Sequence, residues 1–248
     1  MEDEQSNKKK IDLKVKVYKD NRDDVKLRPL MNDGTINAPG NCVFIGRTKS
    51  GKSNLLCHIL CCPDMYKGYF DIIYLFCVSP SALLINNVKE LKEQNIFTDG
   101  DPSKLQKILD TQKAVIKEYG WKKAPRICVI ADDMAGVRKF MSSKALSTIF
   151  YSGSHSKIYT YITVQQYKLL PKSMRANADA LFLFHGCVQP ELEAFQEEHG
   201  PPQLNKKEFI ELCQYALDEP FSFMFVNCCI PDKKKKFRKG FETILKIK

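Results

Sequence analysis

The stretch Gly46-Arg47-Thr48-Lys49-Ser50-Gly51-Lys52-Ser53 constrains this chain more than any other, because it spells G-x-x-x-x-G-K-S between two apolar segments. Before it, Cys42-Val43-Phe44-Ile45 is short and partly β-branched and reads as a buried strand. After it, Asn54 opens a run with helical potential, NLLCHIL. Strand, glycine-bounded loop and helix, in that order, are what a phosphate-binding loop requires. Glycines at 46 and 51 let the backbone turn where a Cβ would clash, so that successive N–H groups aim at one anion. The helix adds its unpaired first-turn N–H groups and the positive end of its dipole. On this reading Gly46 to Asn54 bind a nucleoside triphosphate. Lys52 reaches the β- and γ-phosphates, and the Ser53 hydroxyl ligates Mg²⁺.

The rest of the chain repeats the alternation. Apolar strands are expected at Phe70–Val78, Arg126–Ala131, Ile158–Val164, Ala180–Phe184 and Phe221–Val226. Helices are expected around 81–95, 103–119, 142–151, 189–198 and 205–217. Leu13–Tyr18 alternates apolar and polar like a half-exposed edge strand, and 32–41 is a turn-rich approach to the loop. Continuous apolar strands separated by helices predict an α/β fold, a mainly parallel central sheet with helices on both faces. The domain organisation expected is a polar disordered tail over 1–12, one P-loop ATPase domain over 13–230 and a basic tail over 231–248.

A phosphate loop alone does not separate GTPases, kinases and motors. Val129-Ile130-Ala131-Asp132-Asp133 supplies the next landmark, an apolar strand ending in two carboxylates. A metal-bound triphosphate needs one acid for the metal and another group for the attacking water. Asp132 is assigned to magnesium and Asp133 to water, the acids and the cradle meeting across adjacent strand tips. Asp133-Met134-Ala135-Gly136 also fits the D-x-x-G of GTPases, but the Asn205-Lys206-Lys207-Glu208 stretch does not supply their guanine reader. A whole strand–helix unit separates loop from acids, as in the RecA-like branch with an additional strand and catalytic acid. In such motors a polar residue at the tip of the neighbouring strand senses the γ-phosphate. Gln165 stands in that place, with Gln166 behind it. Arg175 is a candidate arginine finger for a neighbouring subunit's γ-phosphate, or a helical partner of Asp179 four residues on.

Together the glycine loop, ICVIADDM (127–134), TVQQ (163–166) and LPKSMRANAD (170–179) resemble the genome-packaging ATPases of large double-stranded DNA viruses and virophages. These form the poxvirus-type branch of the FtsK–HerA superfamily, and the resemblance spans roughly residues 40–185. It implies ATP and Mg²⁺ as cofactors and a homo-oligomeric ring around double-stranded DNA. It also implies a motor that drives the genome into a preformed capsid, with capsid or portal-vertex proteins as possible partners. Arg47, Thr48 and Lys49 make this loop bulkier and more basic than the small-residue loops common in the superfamily. A HerA-like helicase or partitioning motor and a P-loop small-molecule kinase stay open as alternatives.

Composition sets the remaining bounds. Ten cysteines with no secretory leader point to a reducing compartment, and no apolar run approaches a membrane span. The expected location is host cytoplasm, viral factory or virion. The net charge is +10, and the segment Asp232–Lys248, with eight Lys/Arg and two Asp/Glu, carries +6 of it. That tail suits a polyanion, a nuclear-import signal over Lys233–Lys239, or plain solvation. Cys57, His58 and Cys61 lack the second ligand pair a zinc site needs, Cys228 and Cys229 have no evident partner pair, and the aromatic strands around 182–184 and 221–225 read as core.

Overall fold

The computed structural model describes residues 40–246, so the expected tail over 1–12, the strand at Leu13–Tyr18 and most of the 32–41 turn lie outside the described residues. The first half of the chain forms β1 (Cys42–Ile45), α1 (Lys52–Cys61), β2 (Ile72–Cys77), α2 (Ala82–Asn87), β3 (Leu91–Phe97), α3 (Pro102–Tyr119) and β4 (Ile127–Asp132). Then come α4 (Arg138–Met141), α5 (Lys144–Ser152), β5 (Ile158–Val164), α6 (Lys172–Ala176), β6 (Ala180–Phe184) and α7 (Gln189–His199). The chain closes with α8 (Lys206–Ala216), β7 (Phe223–Asn227), β8 (Phe237–Lys239) and β9 (Thr243–Ile244).

The nine strands of the described residues join one sheet in the order β3-β2-β4-β5-β1-β6-β7-β8-β9. From β3 to β6 the neighbours run parallel, and β7, β8 and β9 extend the sheet antiparallel. The strand period of two splits β1 between two cores. Val43 and Ile45 join the face covered by α3, α5, α7 and α8. Cys42 and Phe44 face α1, α2 and the Met65–Phe70 connection, with Phe44 stacked on Phe182 at 4.6 Å. Burial on both faces is why these strands are continuously apolar. Local chemistry sets the helix ends: the Asp101 side chain accepts from Ser103 N–H ahead of Pro102, and Asn205 and Glu208 form a reciprocal capping box. The Asn205–Glu208 stretch is therefore a helix start.

Two expectations are corrected. The helix around 81–95 is only α2, and Leu91–Phe97 pairs parallel with β2 as the outer strand. Its Lys92, Glu93 and Gln94 are exposed, as suits an edge that must not recruit other strands. Nor does the described part of 231–248 form a detached basic tail. Phe237, Arg238 and Leu245 are buried in and beside β8 and β9. Lys236 donates to the His199 carbonyl, Arg238 to the Phe241 carbonyl, and Lys239 pairs with Asp218 at 2.7 Å. Three of the six Lys/Arg over Lys233–Lys239 thus have partners within the fold, while Lys233 and Lys234 remain exposed.

A polar knot ties the β5–β6 connection to α7. Tyr167 is fully buried; its hydroxyl donates to Glu198 at 2.6 Å and lies 2.8 Å from His199 Nε2. Burial foremost, then the Lys236 charge, depresses the His199 pKa from 6.5 to about 4. The folded chain keeps His199 neutral, whereas the unfolded chain protonates it below 6.5. Its contribution is thus complete above 6.5 and disappears as pH falls toward 4, on the order of 3 kcal/mol in all. Denaturant melts across that window should show His199→Gln losing less stability on acidification than the parent; parallel losses would place the acid sensitivity elsewhere.

Candidate active site

The loop between β1 and α1 follows from its neighbours. β1 is paired on both sides, by β5 and β6, so the chain leaves the sheet at its centre. Gly46 N–H donates to the Val164 carbonyl at 3.0 Å, and a Cβ on Gly46 would lie 2.7 Å from both Phe184 Cβ and Ser50 Oγ. No other residue fits there. Gly51 adopts φ 106° and Lys49 φ 65°, so the loop curls back before α1 begins. No side chain caps the first turn of α1, which leaves the N–H groups of Lys52, Ser53 and Asn54 for an outside acceptor. Arg47, Thr48 and Lys49 are exposed on the outer arc, and Ser50, Gly51 and Ser53 are half-buried.

Lys52 is buried at 5% exposure, and its ammonium donates to the carbonyls of Gly46 at 2.7 Å and Arg47 at 3.0 Å. Burial lowers its pKa, and the charges of Asp133 and Asp132 oppose that shift. Asp132 shows the converse: burial raises its pKa, against the Thr163 hydrogen bond and the Lys52 charge. The lysine and both acids thus share one electrostatic environment.

The acids are held by a residue the sequence reading did not single out. Thr163 Oγ1 donates to Asp132 Oδ1 at 2.6 Å and accepts from Asp133 N–H at 2.9 Å. Thr163 sits on β5, which stands between β4 and β1, so cradle and acids are not on adjacent strands. The signals in the sequence were its place at the start of TVQQ (163–166) and its being one of two threonines, with Thr160, in a fully buried strand. Asp133 takes φ 52°, rare for a residue with a Cβ. Its Oδ1 is buried with no hydrogen-bond partner, as is Ser50 Oγ. Two orphan acceptors beside a cradle that a Cβ would fill suit a ligand bringing donors and cations.

Lys49, Lys52, Ser53, Asn54 and Asp133 line one cleft of ≈ 870 Å³, closed by Phe184, Phe221 and Phe223 on one side and Leu83 and Asn87 on the other. Gln165 and Gln166 are exposed just past β5, at the tip of the strand separating loop from acids. Phe182, Phe184 and Phe225 are core as expected, but Phe221 is 68% exposed. Among the described residues no group of three or more His, Cys, Asp or Glu is disposed to hold a metal, and Cys57 and Cys61 are free thiols 3.9 Å apart. Cys229 donates to Asp179.

Arg175 is corrected in its partner. Its guanidinium makes two hydrogen bonds to Glu198, at 2.6 and 3.0 Å, donates to the Leu170 carbonyl at 2.8 Å and lies over the Tyr167 ring. Asp179 instead accepts from Asn41 N–H at 2.7 Å. In the single chain this guanidinium is engaged within its own fold. Arg175→Ala should therefore destabilise the isolated chain by about 2–3 kcal/mol in denaturant unfolding; unchanged stability would favour the finger. For the acids, Thr163→Val should lower ATP turnover roughly tenfold or more while leaving the ATP Kd within about twofold, and Thr163→Ser should restore turnover. A matching loss of affinity would give Thr163 a mere folding role.

A family model described as Poxvirus A32 protein matches residues 30–197. No curated protein matches the chain. Among solved structures, the genome packaging NTPase B204 from Sulfolobus turreted icosahedral virus 2, in complex with AMP, is similar with TM-score 0.53 and 17% identity. That match covers 77% of this chain and 93% of that one. B204 from Sulfolobus turreted icosahedral virus, a DNA-packaging ATPase, gives TM-score 0.55 at 15% identity, with 76% and 92% covered. ATPases 2 and 3 of EssC from Geobacillus thermodenitrificans give TM-score 0.55 at 16% identity, over 77% of this chain and 38% of theirs. These likenesses show a shared fold. With well over half of its length matched, the chain belongs to the poxvirus A32 protein family.

Proposed function

We propose that this chain is a Mg²⁺-dependent ATPase that moves double-stranded DNA as a homo-oligomeric ring, packaging a viral genome into a capsid. The observation that carries the reading is one cleft shared by the glycine loop and Asp133, whose buried Oδ1 has no partner. Family membership and the genome-packaging role of the B204 relatives support DNA as the cargo.

The residues divide the work. Loop and first-turn N–H groups of α1 orient the phosphates, and Lys52 exchanges its two loop carbonyls for phosphate oxygens. Ser53 and Asp132 would hold Mg²⁺, which neutralises charge on the transferring phosphoryl group. Thr163 keeps Asp132 and the Asp133 backbone in place. Asp133 orients the attacking water and takes its proton as the bond to the γ-phosphorus forms and ADP departs. Gln165, at the tip of the intervening strand, hydrogen-bonds the γ-phosphate and reports its loss. Exposed basic side chains of the assembled ring grip the DNA backbone without reading bases, so coupling weakens steeply with salt.

ATP turnover with and without duplex DNA tests this. Turnover should rise with DNA, fall with salt, and drop at least about a hundredfold in Lys52→Ala and Asp133→Asn. Turnover stimulated by a small acceptor rather than by DNA would make the chain a kinase and overturn the motor.

A further inference from the structure

We propose that Phe221 is the platform on which the nucleobase of the bound nucleotide stacks; this rests on the ATPase reading above and assigns the end of the cleft that the phosphate machinery leaves unused.

The sheet order sets the direction. β4, with the acids, lies on one side of β1 across β5, while β6 and β7 lie on the other side. A nucleotide whose γ-phosphate faces Asp132 and Asp133 therefore carries its base toward the β6–β7 side. Three aromatic residues line the cleft there, and two are committed to packing: Phe184 is 1% exposed, and Phe223 is half-buried with its ring 5.7 Å from that of Phe184. Phe221 is different. Among the described residues it is, at 68%, the most exposed large hydrophobic side chain, and no aromatic ring packs against it. It is nonetheless beside the loop, since a Cβ built on Gly51 would meet the Phe221 ring at 3.6 Å.

The backbone makes the same point independently. Phe221 adopts φ 67°, a conformation that a bulky side chain avoids and glycine takes freely. The strain is built in by its neighbours. Ser222 N–H and hydroxyl both donate to the Glu219 carbonyl, at 3.1 and 2.7 Å, and His185 N–H donates to the Ser222 carbonyl at 2.9 Å. His185 Nδ1 donates to the Leu217 carbonyl at 2.6 Å, bracing the turn from the β6 side. A rigid turn thus holds an apolar ring out over the cleft at a cost in both strain and exposure, which the fold alone does not require. A π-face fixed beside the phosphate cradle recognises a planar base, and stacking tolerates any base because each has such a face.

The test separates base from phosphates. ATP and inorganic tripolyphosphate are titrated into wild type, Phe221→Gly and Phe221→Trp, and each protein is melted thermally. Phe221→Gly should melt no lower than wild type, because glycine relieves the strained φ, yet bind ATP roughly tenfold or more weakly. Its tripolyphosphate affinity should stay within about twofold, and Phe221→Trp should bind ATP at least as well as wild type. Equal weakening for both ligands, or ATP binding unchanged in Phe221→Gly, would overturn the assignment and return Phe221 to a contact with DNA or a neighbouring subunit. Wild type binding neither ligand would instead overturn the ATPase reading itself.

Discussion

Thr163 grips the carboxylate of Asp132 and the backbone of Asp133 from β5, the strand that separates them from the phosphate loop. The cleft depends on that bond. β1 can place the loop only because β5 and β6 pair with it in parallel, and β4 can place the acids only because β5 pairs with it too. One hydroxyl then converts strand register into the positions of two carboxylates. It also helps to stabilise Asp133 at a positive φ, a conformation that points its carboxylate into the cleft at some cost in backbone energy.

Charge in the site is balanced rather than cancelled. Burial presses Lys52 toward its neutral form and Asp132 toward its own, and each opposes the shift in the other. Lys52 has two loop carbonyls as partners, whereas Asp133 Oδ1 and Ser50 Oγ have none. Unsatisfied buried acceptors are costly, and a site that tolerates them is pre-arranged for a ligand that satisfies them. The aromatic side of the same cleft is arranged on similar terms, with apolar surface left exposed on a braced turn.

Beyond β6 the sheet changes character. After α7 and α8 the chain returns as β7, which pairs antiparallel along the edge of β6, and β8 and β9 then extend the sheet antiparallel through short connections. Part of the basic run is absorbed in this extension: the ammonium groups of Lys236 and Lys239 lie over the Phe237 and Tyr215 rings and also find a carbonyl and a carboxylate. Composition alone could not anticipate that, because a charge run reads the same whether its partners lie in solvent or in strands distant in sequence.

Local patterns carried most of the fold. The continuous apolar strands at Ile158–Val164 and Ala180–Phe184, the capped helices and the glycine loop were legible because each is specified by residues a few positions apart. Leu91–Phe97 was misread as helix because its exposed Lys92, Glu93 and Gln94 break the apolar run that marked the inner strands. By itself the sequence determined that a phosphate cradle and a pair of acids exist and that a parallel sheet carries them, since backbone sterics and hydrophobic periodicity act locally. Only the tertiary structure decided that β5 stands between them, that Thr163 joins them, that Arg175 belongs to Glu198 and that Phe221 faces the cleft. Those facts depend on which distant segments become neighbours, and strand order follows from the packing of the whole chain.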